Sequence, residues 1–144
     1  MNCMDTIESH DSGIGAECAI QMPLGLLGFE QCKRFALIAS PEEEPFLWLQ
    51  SVDEPKLAFL VMSPFIAVPS YRPEISDEDA GFLGLAGPDA TLVFNIVTVR
   101  GPQGATVNLK GPIVVNRRTL VGKQIIPLNA PSLSVDHPLP VQSN

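Results

Sequence analysis

Two short apolar runs set between prolines constrain the fold of this chain more than any other feature. The runs FLWLQS and LAFLVM, residues 46–51 and 57–62, are bounded by Pro45, Pro55 and Pro64. Runs of this length are too short for convincing helices, and proline interrupts both helices and central strands, so each run is typical of a buried β-strand. The polar stretch SVDEP between them predicts a turn.

Proline and glycine punctuate most of the chain in the same way. Its 144 residues include 14 prolines and 11 glycines, which favours many short strands joined by turns over long helices. The run TLVFNIVTV at 91–99 alternates two apolar faces, and further strand-like segments follow it. Strands that succeed one another through short turns favour antiparallel pairing. We therefore predict a mainly β protein, with an antiparallel barrel-like or two-layer sheet.

One short helix is predicted, from Ser76 to Leu83. Ser76 is a suitable N-cap, the acidic residues 77–79 suit the positive end of the helix dipole, and Gly84 is a suitable terminator. The three prolines of 63–74 predict an extended segment. We expect a single domain over residues 1–144, in which 1–15 and 127–144 are irregular.

Charge is distributed unevenly along the chain. Residues 1–99 carry fifteen acidic and four basic groups, whereas 100–144 carry one acidic and five basic groups. An acidic body repels nucleic acid, whose binding needs clustered Lys and Arg, and it attracts a basic protein partner. The competing interpretation is that the acidity only keeps the protein soluble.

Residues suited to catalysis are scarce. His10 and His137 are the only histidines, both lie near a terminus, and no GxSxG motif occurs, so nucleophilic catalysis is not supported. Asp53 and Glu54 are adjacent, and adjacent carboxylates of a turn are more often solvated than paired for acid–base work. We predict that the chain is not an enzyme.

Cofactor and membrane signals are equally weak. Cys3, Cys18 and Cys32 match no zinc-ligand spacing, and Gly13 and Gly15 lack the third glycine of a dinucleotide motif. The longest apolar runs fall short of the ~20 residues of a membrane span, and the N-terminus has no signal-peptide pattern. We expect no cofactor, no metal and no membrane contact, and a location in the cytoplasm.

Aromatic and amide side chains suggest a division between core and surface. The apolar flanks of Trp48 predict that it lies in the core, as do those of Phe29, Phe59 and Phe94. Phe65 and Tyr71, in proline-rich backbone, are candidates for exposed aromatic anchors. Asn108 and Asn116 either satisfy turn backbone, the favoured interpretation, or form a polar pair for a partner at a sheet edge.

Several segments, taken in order, resemble one family, the flagellar assembly factor FliW. They cover most of residues 23–126, and the HPL of residues 137–139 resembles the closing residues of that family. Leu27 stands where family members usually have proline. The matching segments are GLLGFE at 25–30, FLWLQSVDEPKLAFLV at 46–61, SPF at 63–65, ATVNLKGPIVVNRRT at 105–119 and GKQII at 122–126.

The resemblance implies a small barrel-like β protein without catalysis that binds two alternative partners. One is flagellin, and the other is CsrA, the RNA-binding carbon storage regulator that represses flagellin translation. Flagellin that accumulates would occupy the factor, and secretion would free the factor to sequester the regulator.

An RNA-binding regulator must display basic surface, so the acidic loops of this chain are the candidate sites for it. The basic residues Arg100, Lys110, Arg117, Arg118 and Lys123 are candidates for flagellin. The acidic candidates are Glu42, Glu43, Glu44, Asp53, Glu54, Asp77, Glu78 and Asp79.

Two alternatives remain open from the sequence. One is a dedicated flagellin secretion chaperone that does not bind the regulator. The other is a small-molecule-binding barrel or a hydrolase, which would need a roomy interior with convergent polar groups. The scarcity of polar residues inside the predicted strands argues against the second.

Overall fold

The structure is a computed structural model that describes residues 16–87 and 90–139. Within these residues nine strands and two short helices account for the regular structure, with single 3-10 turns between some of them. The helices are α1 (Pro64–Ala67) and α2 (Asp77–Leu83). The strands are β1 (Ala16–Gln21), β2 (Arg34–Ala39), β3 (Phe46–Ser51), β4 (Ala58–Met62), β5 (Thr91–Val99), β6 (Ala105–Val107), β7 (Ile113–Asn116), β8 (Gly122–Gln124) and β9 (His137–Leu139).

The strands form one antiparallel sheet in the order β1-β2-β3-β4-β5-β6-β9, and β7 joins β5 to β8. The end of β1 approaches the start of β8, where Gln21 and Val121 form an isolated parallel bridge. Because no continuous ladder follows that bridge, the sheet curls without closing. The mainly β, antiparallel class predicted from the sequence is confirmed.

The main core lies on one face of the curled sheet, here called the inner face. Alternate residues of β1 to β5 and of β7 point to it, as the period of two requires. In β5, Leu92, Phe94 and Ile96 belong to this core, whereas Asn95 and Val97 point to the outer face. The alternation read from TLVFNIVTV is therefore the one that the strand adopts.

The outer face carries two smaller apolar clusters. The first, the outer cluster, consists of Met62, Tyr71, Val97, Val107 and Leu109, with residues of α1, β6 and β9 packed against it. The second lies beside α2. It consists of Leu83, Val114 and Ile125.

Helix α2 begins and ends where the sequence predicts. The Ser76 hydroxyl accepts a hydrogen bond from the Asp79 backbone N–H at 3.1 Å, which satisfies one of the free donors of the first turn. Gly84 ends the helix at φ 65°, a left-handed conformation that glycine adopts without strain.

Two segments differ from the prediction. Residues 64–67 form α1 and are not extended, because Pro64 at the first helical position suits the start of a helix. The tail from Pro127 is not wholly irregular, because His137–Leu139 pairs with β6 as β9.

Candidate partner-binding surfaces

The loop between β2 and β3 presents three consecutive glutamates, Glu42, Glu43 and Glu44, and we call it the glutamate loop. It forms a single 3-10 turn at Pro41–Glu43, and all three glutamates are exposed. The Trp48 indole N–H donates a hydrogen bond to the Glu43 carboxylate at 3.0 Å. The loop is thereby tied to the strand that follows it.

That hydrogen bond requires Trp48 to lie outside the main core, so its predicted place in the core is wrong. Leu47 and Leu49 pack with the main core, and successive strand residues point to opposite faces. Trp48 consequently lies half-buried on the outer face, opposite Leu60 of β4. Both faces of β3 are apolar, so the sequence pattern could not assign the tryptophan to one of them.

Asp53, predicted to be available to a partner, is exposed and also forms hydrogen bonds within the chain. Its carboxylate accepts hydrogen bonds from the Lys33 N–H at 2.8 Å and the Arg34 N–H at 3.0 Å. The Arg34 guanidinium donates to it as well, at 3.0 and 3.2 Å. These donors, the Lys33 N–H foremost, hold the pKa of Asp53 below its ordinary value. Its neighbour Glu54 is exposed.

The three acids of α2 also separate into two kinds. Asp77 and Glu78 are exposed, whereas Asp79 is buried. The Asp79 carboxylate forms a short ion pair with Lys123 of β8, and the Lys123 ammonium lies 5.3 Å from the centroid of the Phe82 ring. Asp79 and Lys123, predicted to contact the regulator and flagellin respectively, bind each other in the structure.

The acidic candidates do not form one surface. The glutamate loop precedes β3 and the Asp53 turn follows it, so the length of this six-residue strand separates them, about 17–20 Å. Helix α2 lies elsewhere again, against the cluster around Val114 and Ile125. Of these three places, the glutamate loop has the most exposed carboxylates, three in one turn, and the Trp48 indole N–H holds one of them.

The basic candidates are dispersed as well. Arg117 and Arg118 follow the end of β7 that pairs with the start of β5, whereas Arg100 follows the end of β5. The nine residues of β5 therefore lie between them along the strand. Lys110 lies in a third place, at the turn before β7.

The two candidate aromatic anchors have different environments. The Phe65 side chain is 42% exposed, which leaves it accessible on α1. Tyr71 is buried, so its predicted exposure is wrong: the hydroxyl donates to the Leu109 carbonyl at 2.7 Å and accepts from Asn95 at 3.4 Å. Burial raises the pKa of the Tyr71 phenol above its ordinary value.

Asn108 and Asn116 satisfy turn backbone, which was the favoured interpretation. The Asn116 side chain is buried, donates to the Leu83 carbonyl at 2.8 Å, and accepts from the Arg118 N–H at 2.8 Å. The Asn108 side chain accepts from the Lys110 N–H at 2.9 Å. The alternative of an exposed polar pair fails for Asn116, because both ends of its amide are used inside the chain.

A surface groove that the sequence did not predict lies beside the glutamate loop. We call it the outer groove; its cavity measures about 460 Å³, and Glu44 and Pro45 stand at its edge. Its residues come from six helices and strands, α1, β3, β4, β5, β6 and β9, and from the loops beside them, so no local pattern in the sequence could reveal it. The apolar lining includes Phe46, Leu60, Met62, Ile66, Val99 and Leu139.

A second cavity, of about 420 Å³, lies where the loop after β1 meets the turn before β7 and the end of β8. The Gln124 side chain bridges two of these segments, accepting from the Leu27 N–H at 2.9 Å and donating to the Gly111 carbonyl at 3.0 Å. Its rim exposes Ile126 and Val135, each 56% exposed. Several segments that carry the resemblance therefore meet around this cavity.

Neither a metal site nor a membrane helix is seen in the part of the chain that the structure describes. Residues 16–87 and 90–139 hold no group of three His, Cys, Asp or Glu side chains placed to bind a metal ion. The same residues form no helix long and apolar enough to cross a membrane.

Comparison with known proteins places the chain in a family. The family model described as FliW protein matches residues 3–139. The chain belongs to the FliW family. The flagellar assembly factor FliW of Leptospira biflexa is 44% identical over 109 residues, 74% of this chain and 71% of the relative. That of Desulfitobacterium hafniense is 42% identical over 127 residues, 88% and 83% of the two chains.

A solved FliW structure has the same fold. The crystal structure of a flagellar assembly factor FliW aligns with a TM-score of 0.75 at 32% sequence identity. The alignment covers 85% of this chain and 86% of the other. The recognition made from the ordered segments is confirmed, and membership of the FliW family assigns the chain to flagellar assembly.

Proposed function

We propose that this chain is a partner-switching factor that binds flagellin and the translational regulator CsrA, and so relieves repression of flagellin translation. It would act in the cytoplasm, where unsecreted flagellin and messenger RNA occur together. It needs neither a cofactor nor a chemical step. Membership of the FliW family supports the flagellar role.

The glutamate loop is the observation that carries the regulator half of the proposal. Three adjacent exposed carboxylates, one of them held by the Trp48 indole N–H, attract the basic surface that an RNA-binding protein must display. The same carboxylates repel the phosphates of RNA. A regulator bound to this loop would therefore lie next to negative charge that repels RNA.

Mass action then provides the switch. While flagellin accumulates, it occupies the factor and leaves the regulator on messenger RNA; secretion lowers free flagellin and releases the factor to bind the regulator. A dedicated flagellin secretion chaperone is the alternative, and it differs only in lacking the regulator contact. The ligand-binding barrel is disfavoured, because apolar side chains of the main core occupy the inner face.

Calorimetry on the purified chain separates these functions. We expect CsrA and flagellin each to bind alone, and a saturating amount of flagellin to reduce the heat of CsrA binding. Lysozyme, another basic protein, serves as the control for non-specific attraction and should not bind with comparable affinity. Flagellin binding without CsrA binding would establish the chaperone, and a stable complex of all three proteins would contradict the switch.

A further inference from the structure

The outer groove lies beside the short ladder between β4 and β5. The two strands share only the pairs Val61↔Ile96 and Met62↔Asn95, and β6 pairs with the opposite edge of β5. The outer sides of β3 and β4 form the apolar floor of the groove, with α1 on one side and the β5–β6 hairpin on the other.

The walls of the groove keep large apolar side chains in contact with water. Ile66 is 59% exposed and Val99 is 67% exposed. No element among residues 16–87 and 90–139 covers them. Such exposure costs free energy that a bound partner recovers, because removing apolar surface from water stabilises a complex by about 25 cal/mol per Å². A groove of about 460 Å³ falls in the usual size range of sites that bind apolar groups.

The rim of the groove is acidic on the side of the glutamate loop. Glu44 lines the groove, and Glu42 and Glu43 belong to the same turn. On the other wall, Arg100 precedes Gly101 of the lining, and its guanidinium donates to the Thr106 hydroxyl at 3.3 Å. The rim therefore has an excess of negative charge, which selects against an acidic occupant.

We propose that the outer groove binds a segment of the basic regulator in which apolar side chains are flanked by lysine or arginine. This inference rests on the proposed function and assigns one site to one of its two partners. The apolar side chains enter between Ile66 and Val99, and the flanking cations meet the glutamate loop. An apolar floor with an acidic rim binds this combination and rejects RNA, which has neither property.

The test removes the apolar character of the walls without changing charge. The double variant Ile66→Gln and Val99→Thr is compared with Ile126→Gln and Val135→Thr at the second cavity, where an isoleucine and a valine are similarly exposed. We expect the first pair to raise the Kd for CsrA at least about tenfold, the usual effect of removing interface anchors. The control pair should bind CsrA as the wild type does.

Flagellin binding, measured on the same proteins, separates the possible failures. No CsrA binding by the wild type would defeat the proposed function itself. If the groove variant binds CsrA as tightly as the wild type does, the groove assignment is overturned but the proposed function is not. The same holds if the groove variant loses flagellin binding and keeps CsrA binding. A photo-crosslinking residue at position 99 should attach to CsrA more than one at position 135. Equal attachment would also overturn the assignment and does not depend on the double variant folding.

Discussion

Asp53 illustrates how an exposed side chain of a turn can stabilise the fold. Its carboxylate accepts four hydrogen bonds from Lys33 and Arg34, where β2 begins. Hydrogen bonds to the ionised form favour that form, which accounts for the lowered pKa. Since the folded pKa lies below the unfolded one, the stabilisation is present above about pH 3.8 and is lost as the pH falls through the folded value.

The first prediction concerns Asp53→Asn, which removes the charge and one acceptor oxygen. We expect a lower midpoint of urea unfolding at neutral pH, and a gap between variant and wild type that narrows as the pH is lowered from about 7 to about 3. Glu54→Gln, at the exposed neighbour, is the matched control and should leave the midpoint nearly unchanged. A gap that stays constant over this range would show that the carboxylate charge is not the stabilising feature.

Tyr71 shows that the local sequence around a residue does not determine whether its side chain is buried. Proline-rich backbone indicated an exposed ring, but the chain folds back so that the hydroxyl reaches the Leu109 carbonyl, 38 positions away in sequence. Its partner could not be named in advance, since a backbone carbonyl carries no side-chain signature.

At the scale of elements, α2 is held to both β7 and β8 by side-chain contacts. Asp79 pairs with Lys123, and the Asn116 side chain donates to the carbonyl of Leu83 at the end of the helix. The cap at Ser76 and the stop at Gly84 were predictable, because they depend on residues within a few positions of the helix. The ion pair was not, because it joins residues 44 positions apart.

The second prediction tests this ion pair. Asp79→Asn should lower the free energy of unfolding by about 1–3 kcal/mol, less than for a fully buried pair because water reaches part of it. Asp77 lies in the same helical turn and interacts with the same helix dipole. Asp77→Asn should therefore lower the free energy of unfolding much less. A double-mutant cycle with Lys123→Met should give a favourable coupling energy. Additive effects of the two substitutions would show that the ion pair does not stabilise the packing of α2.

For the whole molecule, the net charge of −7 conceals an uneven distribution over the surface. Asp53 and Asp79 are bound by basic residues of the same chain, although Asp53 is exposed, and the other exposed acids lie in separate places. The glutamate loop adjoins the outer groove. The attraction for a basic partner should therefore depend on that loop more than on total charge.

The third prediction follows from this distribution. Changing Glu42, Glu43 and Glu44 to Gln should weaken CsrA binding about tenfold at low salt and flatten its decline between about 50 and 500 mM salt, where screening becomes strong. Asp77→Asn with Glu78→Gln removes exposed charge from α2 as the control, and should change neither quantity appreciably. An unaltered salt dependence in the loop variant would remove the glutamate loop from the binding surface.

The sequence by itself determined most of the strands, the helix α2 and the family, but not α1 or β9. Alternation, capping and proline boundaries act over a few residues, so they can be read locally, and the ordered segments identify the FliW family without a structure. It could not determine which face of β3 carries Trp48, because both faces are apolar. Only the tertiary structure decided which carboxylates stay exposed and where the outer groove lies, because both depend on residues far apart in the chain meeting in space.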